Sequence, residues 1–215
     1  MHILFIGKKD DEYCVNSSEY LRRQIDSADV VFLSKGDKLP DNIATDSVDY
    51  IISYLSPLVI PQILLQKAKI AAINFHPGTP DYPGIGCTNF ALYNEEEEYG
   101  ITCHQMEETV DTGQIIAVRR FSIQKTDSVF SVTQRCHEEI SVLFRQIIDL
   151  IVSGQELPVS NEHWTREPYT RNQLNELGRI TDDMSDDEVK KRVQAMTYPD
   201  MPGAFIEKAG FRFYV

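Results

Sequence analysis

Four short runs in the first third of the chain are apolar almost without interruption: HILFIG (2–7), DVVFLS (29–34), VDYIISY (48–54) and KIAAINFH (69–76). A strand with one face in water alternates apolar and polar residues, so near-continuous apolar runs predict strands covered on both faces. The segments between them, SSEYLRRQID and PQILLQKA, carry helical spacing, and the second opens with Pro61 at a position a helix tolerates. Strand–helix alternation of this kind predicts an α/β fold, an open, doubly wound, mostly parallel sheet. In such a sheet ligands bind in the crevice beyond the carboxyl ends of the strands, near the point where strand order reverses. The first strand is followed by GKKDDEY rather than G-x-G-x-x-G, and no G-x-x-x-x-G-K-[ST] occurs. NAD and ATP are therefore poor candidates for that crevice.

Beyond Thr88 the pattern changes. TNFALYNEE suits a short helix, and YGITCHQM and GQIIAVRRFSI suit strands joined by EETVDT, a connection short enough to require an antiparallel pair. Asp127 is expected to cap a long amphipathic helix that ends at Gly154. Residues 1–154 are thus expected to form one domain. Residues 155–215 form an appendix: an aperiodic polar and aromatic arm to residue 180, a helix from the capping box SDDE (185–188) to Met196, and a β-hairpin AFIEKAGFRFYV turning at Ala209-Gly210. A lone hairpin is marginal in water, so Phe205, Phe211 and Phe213 need something to pack on. A second copy of the chain would supply it, making a homodimer the expected assembly.

Charge narrows the functional classes. In 215 residues, 33 acidic against 21 basic side chains give a formal net charge of −12, and the basic residues occur only in short runs. Nucleic-acid binding draws its affinity from basic patches, so a nucleic-acid partner is not expected. A small anionic substrate needs only one or two placed cations and some backbone N–H groups. Mean hydropathy is −0.30, and no apolar stretch approaches the ~20 residues of a membrane span. MHILFIGKK is too short and too promptly charged for a signal peptide, which points to the cytoplasm. Cys14, Cys87, Cys103 and Cys136 are scattered without a CxxC pair and are expected to be free thiols. His104 and Cys103 project to opposite faces of a strand, so no shared metal is expected. His2, His137 and His163 are assigned ordinary structural roles.

The fourth run ends in NFHPGTPDYPGIG (74–86). On a strand Asn74 and His76 share one face while Ile73 and Phe75 share the other. A carboxamide and an imidazole side by side at the crevice suit one task, holding an oxygen that becomes negative as a carbonyl is attacked. The prolines and glycines that follow fix the opposite wall. A plainer alternative has Asn74 capping a turn and His76 bonded within the structure.

From residue 48 to about 125 the chain resembles the folate-dependent formyltransferases. These have a strand ending N-x-H-P, a Pro/Gly loop and a later V/L-D-x-G, found here as Asn74, His76 and the VDTG stretch with Asp111 and Gly113; DYIISYLSPLVIP resembles their folate-pocket strand and loop. The resemblance implies the family's Rossmann-like fold, N10-formyltetrahydrofolate as donor, a primary amine as acceptor, and Asn74, His76 and Asp111 as the catalytic trio. It implies a pterin slot edged by Ser53, Tyr54 and Leu55 on one side and by Met106 and Glu108 on the other. Relatives acting on glycinamide ribonucleotide carry a Gly/Ser-rich nest where this chain has GKKDDEY, and those acting on initiator tRNA are longer and basic. The chain is most similar to the bacterial nucleotide-sugar N-formyltransferases, which implies transfer to an NDP-linked 3- or 4-amino deoxyhexose in lipopolysaccharide or other surface polysaccharide synthesis. In NEHWTREPYTR (161–171), Trp164 or Tyr169 are candidates to stack on a base, and Arg166 or Arg171 to pair with a diphosphate. The alternatives are formylation of glycinamide ribonucleotide or another small amine, hydrolysis of the formyl donor, and a folate or nucleotide-sugar binding module without catalysis.

Overall fold

The computed structural model describes residues 1–40, 43 and 47–215. The main sheet has six strands in the order β2-β1-β3-β4-β5-β6. Strands β1 (His2–Lys8), β2 (Ser27–Leu33), β3 (Val48–Tyr54) and β4 (Ala68–His76) are mutually parallel. Strand β5 (Glu98–Gln105) runs antiparallel to β4, and β6 (Ile115–Ser122) antiparallel to β5. Strand order reverses beside β1, so the carboxyl ends of β1, β3 and β4 form the crevice where a ligand is expected.

The apolar runs divide by parity between two cores, which is why they read as continuous. Ile3, Phe5, Tyr50, Ile52, Tyr54, Ile73 and Phe75 face one core; Leu4, Ile6, Val31, Leu33 and Ile51 face the other. The first core is covered by α1 (Glu12–Gln24) and α4 (Val129–Val152). Helix α4 buries Val129, Val132, Cys136, Ile140, Leu143, Phe144, Ile147, Ile148 and Ile151, the three-and-four spacing of a helix stripe. Phe144 sits at its centre, its ring 5.1 Å from Tyr54, 5.5 Å from Phe75 and 5.9 Å from Phe5. Among the described residues the second core is covered more thinly, by α2 (Gln62–Leu65), the chain around Ile60, and Leu39 and Ile43.

Local details differ from the sequence reading. Helix α1 begins at Glu12, earlier than the run SSEYLRRQID suggests, because Asp11 accepts from Cys14 N at 3.1 Å and caps it. Helix α2 is a single turn, with Pro61 as its cap rather than its first residue. Ser128, not Asp127, caps α4: it forms a reciprocal box with Ser131, while Asp127 pairs with Arg135 at 3.0 Å. The arm is not aperiodic to residue 180. It contains α5 (Arg171–Gly178), opened by a Thr170–Gln173 box, and the short strand β7 (Arg179–Ile180). At α6 (Asp186–Met196) only half of the SDDE box forms: Ser185 accepts from Glu188 N, and the Glu188 carboxylate accepts instead from Tyr93 and Arg192.

Helix α3 (Cys87–Tyr93) receives α6 through these bonds and through Asn89 Nδ2, which donates to Ala195 O at 2.8 Å. The hairpin of β8 (Phe205–Lys208) and β9 (Phe211–Tyr214) turns at Ala209 (φ +52) and Gly210 (φ +80), the two left-handed residues a tight hairpin needs. It pairs with β7 as a third strand. Phe205 is buried, but Phe211 and Phe213 share the opposite face with Ile206 and are 69% and 57% exposed. All four cysteines are free and buried, and burial pushes the Cys14 thiol up to about 12. Among the described residues no helix is long and apolar enough to cross a membrane.

Replacing Phe144 with Ala leaves a void among three rings and is expected to cost about 3–5 kcal/mol. Urea unfolding should show the midpoint falling with an unchanged slope. A cost below ~1 kcal/mol would contradict this packing.

Candidate active site

A cavity of about 390 Å³ opens at the carboxyl ends of β1, β3 and β4. Leu55, Pro57, Leu58, Val59, Ile60, Met106 and Val110 give it apolar walls; Asn74, His76, His104 and Asp111 give it one polar end. A larger groove of about 950 Å³, lined by the Glu95–Glu97 turn, Asp127 and the first turns of α6, shares no residue with it.

The polar end is assembled from three directions. Asn74 and His76 come from β4, with Ile73 and Phe75 buried on the other side of the strand. His104 comes from β5, in direct antiparallel register with Asn74. Asp111 comes from the β5–β6 loop, at φ +49, a left-handed conformation that costs a non-glycine residue about 1–3 kcal/mol. All but Asn74 are nearly sealed from solvent.

Asp111 is the hub. One carboxylate oxygen accepts from Gly84 N at 2.8 Å and lies 3.3 Å from His76 Nδ1; the other lies 3.2 Å from His104 Nε2. Burial alone would raise this carboxyl. The charge of His76, the bond and charge of His104 and the Gly84 N–H outweigh burial and hold it well below the usual carboxylate range.

The histidine protons follow from their partners. His76 Nε2–H donates to Tyr82 O at 2.8 Å. His104 Nδ1–H donates to Gln105 O at 2.7 Å. His104 Nε2 therefore either accepts from Asn74 Nδ2 at 3.1 Å or, when protonated, donates to Asp111.

The Pro/Gly loop is held close to this cluster. Thr102 Oγ1 donates to Gly78 O at 2.7 Å and Tyr99 OH to Pro77 O at 3.1 Å. A Cβ on Gly78 would lie 2.4 Å from His76 Nε2, so only glycine leaves the imidazole its place. At Gly113 of VDTG a Cβ would lie 2.0 Å from Gln105 O, so glycine is what lets the Asp111 loop close against β5.

The structure brings Asn74, His76 and Asp111 together, and places Ser53, Leu55 and Met106 in the cavity wall. Tyr54 and Glu108 are not in that wall. Tyr54 has opposite parity to Ser53 on β3, so its ring is fully buried in the first core, where its hydroxyl bonds Ser141 at 3.0 Å. Glu108 is exposed on its loop. His104 is the residue that sequence reasoning missed. His137, read as ordinary, also lines the cavity, with Lys8 and Asp11. Among the proposed nucleotide contacts, Tyr169 is committed to the fold, stacked on Phe90 at 3.7 Å under the Arg166 guanidinium at 3.3 Å. The Trp164 ring rests on His104 and His76. Arg171 is exposed at the start of α5.

Comparison with known proteins bears on what this cluster belongs to. The GDP-perosamine N-formyltransferase of Brucella melitensis is 29% identical over 168 residues, 78% of this chain; the chain spans 64% of that relative's length. A sugar N-formyltransferase from a Shewanella species superposes with a TM-score of 0.79 at 18% identity, covering 100% of this chain and 96% of the other. An N-formyltransferase from Helicobacter canadensis, solved with folinic acid and dTDP-3-aminofucose, superposes at 0.75 and 19% identity, covering 99% and 86%. At these identities the superpositions establish the fold. The sequence model described as formyl transferase matches residues 33–148, more than half of the chain and all of β4, β5 and the Asp111 loop. With that match, the chain belongs to the formyl transferase family.

Proposed function

We propose that this chain is an N-formyltransferase that moves the formyl group of N10-formyltetrahydrofolate to the amine of a nucleotide-linked amino deoxysugar. The observation that carries the reading is the convergence of Asn74, His76, His104 and Asp111 at the end of an apolar-walled cavity. Its walls suit a flat heteroaromatic donor: Leu55, Leu58 and Met106 line them, and Val59, Ile85 and Val110 stay exposed at the rim. Residues 1–154 are the catalytic domain in this reading and 155–215 the appendix.

The donor supplies an electrophilic formyl carbon, which an uncharged amine attacks. The Asn74 carboxamide has a second N–H beyond the one facing His104, and it donates to the formyl oxygen as charge builds there. His76 Nε2–H, given to Tyr82 O beforehand, is shared with or passed to the same oxygen. Asp111, with its carboxyl held far down, is a weak proton acceptor. Its task is to orient both imidazoles and stabilise the imidazolium that forms when a neutral one takes the amine proton; the tetrahedral intermediate then collapses by breaking its bond to N10, which takes up that proton and leaves as tetrahydrofolate.

The acceptor rests on the Brucella and Helicobacter relatives and on a chain whose charge of −12 suits a small anion rather than tRNA. A role in surface polysaccharide synthesis, such as lipopolysaccharide, in the cytoplasm follows from that substrate class. The exposed Ile206, Phe211 and Phe213 face supports a homodimer formed by two hairpins.

Asn74→Ala, His76→Ala and Asp111→Asn should each lower formyl transfer by ~10²-fold or more while the protein stays folded. Near-normal turnover of the His76 variant would sink the assignment. With N10-formyltetrahydrofolate and a panel of NDP-3-amino and NDP-4-amino deoxyhexoses, tetrahydrofolate release should depend on one of the sugars. Release with glycinamide ribonucleotide alone, or with no amine present, would move the chain to one of the alternative activities. Light scattering at micromolar concentration should report a dimer that Phe211→Glu with Phe213→Glu converts to a monomer; a monomeric wild type removes the assembly.

A further inference from the structure

Trp164, the single tryptophan of the chain, lies on the arm between α4 and α5. That arm is strapped across the site. Ser160 N donates to Ile115 O at 2.9 Å, Thr165 N to Pro80 O at 3.2 Å and Tyr169 N to Pro83 O at 2.8 Å. Pro80 and Pro83 belong to the loop that shapes the space around His76, and Ile115 follows the loop that carries Asp111. Between these anchors the Trp164 indole N–H donates to Gly113 O at 2.8 Å, two residues beyond Asp111. Its ring meets His104 edge to face, with centroids 5.0 Å apart at 90°, and His76 at 5.9 Å and 69°.

An imidazole turns readily about its last side-chain torsion, which has broad minima, so hydrogen bonds alone leave its orientation soft. Edge-to-face contact with a fixed aromatic ring narrows that freedom. The loop around Asp111 also needs restraint, because its left-handed backbone persists only where the surroundings hold it.

We propose that Trp164 is a positioning residue. One side chain, carried on the appendix, packs against both histidines and ties down the loop that bears their shared carboxylate. The appendix therefore contributes to holding the reacting centre. The kinetic consequence rests on the formyl-transfer reading; the geometric one does not.

Misplacement of such a cluster by about 1 Å costs up to ~10²-fold in rate. Trp164→Ala should lower kcat by about 10- to 100-fold and leave KM for donor and acceptor within ~3-fold. Trp164→Phe keeps an aromatic ring beside the histidines and loses the N–H and part of the ring area, so kcat should recover at least part of the loss, to within about 10-fold of wild type. An Ala variant with wild-type kcat, or a loss expressed wholly in KM, overturns the proposal. A second readout needs no turnover and survives failure of the Ala variant to fold. The lone indole gives one N–H resonance in a ¹⁵N–¹H spectrum, which His104→Gln and His76→Asn should each displace, whereas the exposed-turn change Glu97→Gln should not. An indole resonance unmoved by both histidine changes overturns the proposal. Displacement without any formyl transfer by wild type upholds the positioning and refutes the activity.

Discussion

One buried carboxylate organises the candidate site. Asp111 is short of water, sits on a strained backbone and faces two imidazoles and a backbone N–H. An isolated ionised carboxylate could not stay charged there; burial would protonate it. The donors around it reverse that outcome, and each belongs to a different piece of chain: His76 to β4, His104 to β5, Gly84 to the Pro/Gly loop. The charge thus fastens three segments to one another. Two glycines fit the same closeness, because a Cβ on Gly78 would crowd His76 and one on Gly113 would crowd β5, whereas Gly84 makes room for the arm at Tyr169.

The same arrangement divides the chemistry. A carboxyl held this far down gives up its usefulness as a proton acceptor and gains value as a fixed negative charge. In the proposed formyl transfer this leaves proton traffic to the imidazoles, and His104 Nε2 is the nitrogen placed between two competing partners, Asn74 and Asp111. Asn74 and Asp111, the residues proposed to bind the oxygen and to orient the imidazoles, are thus joined through one ring.

Much of this was legible in the chain, and the gaps have physical causes. The four parallel strands were readable because both their faces are buried, and Asn74 and His76 because strand parity is strict. Parity applied equally to β3 would have turned Tyr54 away from the cavity, since Ser53 and Tyr54 must face opposite ways. His104 required the register between β4 and β5. Twenty-one residues separate His76 from Glu98, so turn geometry could not fix it. Asp111 was reached only through resemblance, because a charged residue on a loop has no periodicity to mark it. Helix α5 was missed because its Thr170–Gln173 box stands in a segment without an apolar stripe long enough to notice. The start of α1 and the cap of α4 were displaced because several polar residues compete at each boundary and only geometry chooses among them.

The cavity and the stability of the chain are drawn from opposite faces of one sheet. Helix α4 (24 residues) buries one face against the first core and its ring cluster, whereas among the described residues the second core is covered by the single-turn α2, the chain around Ile60, and Leu39 and Ile43. That thin cover leaves the carboxyl ends of β3 and β4 accessible and leaves Val59 and Ile63 exposed by 64% and 73%. The deep core on the α4 side offsets that thin cover, and the strained Asp111 loop is held at the polar end of the cavity by His76, His104 and Gly84 rather than by either core.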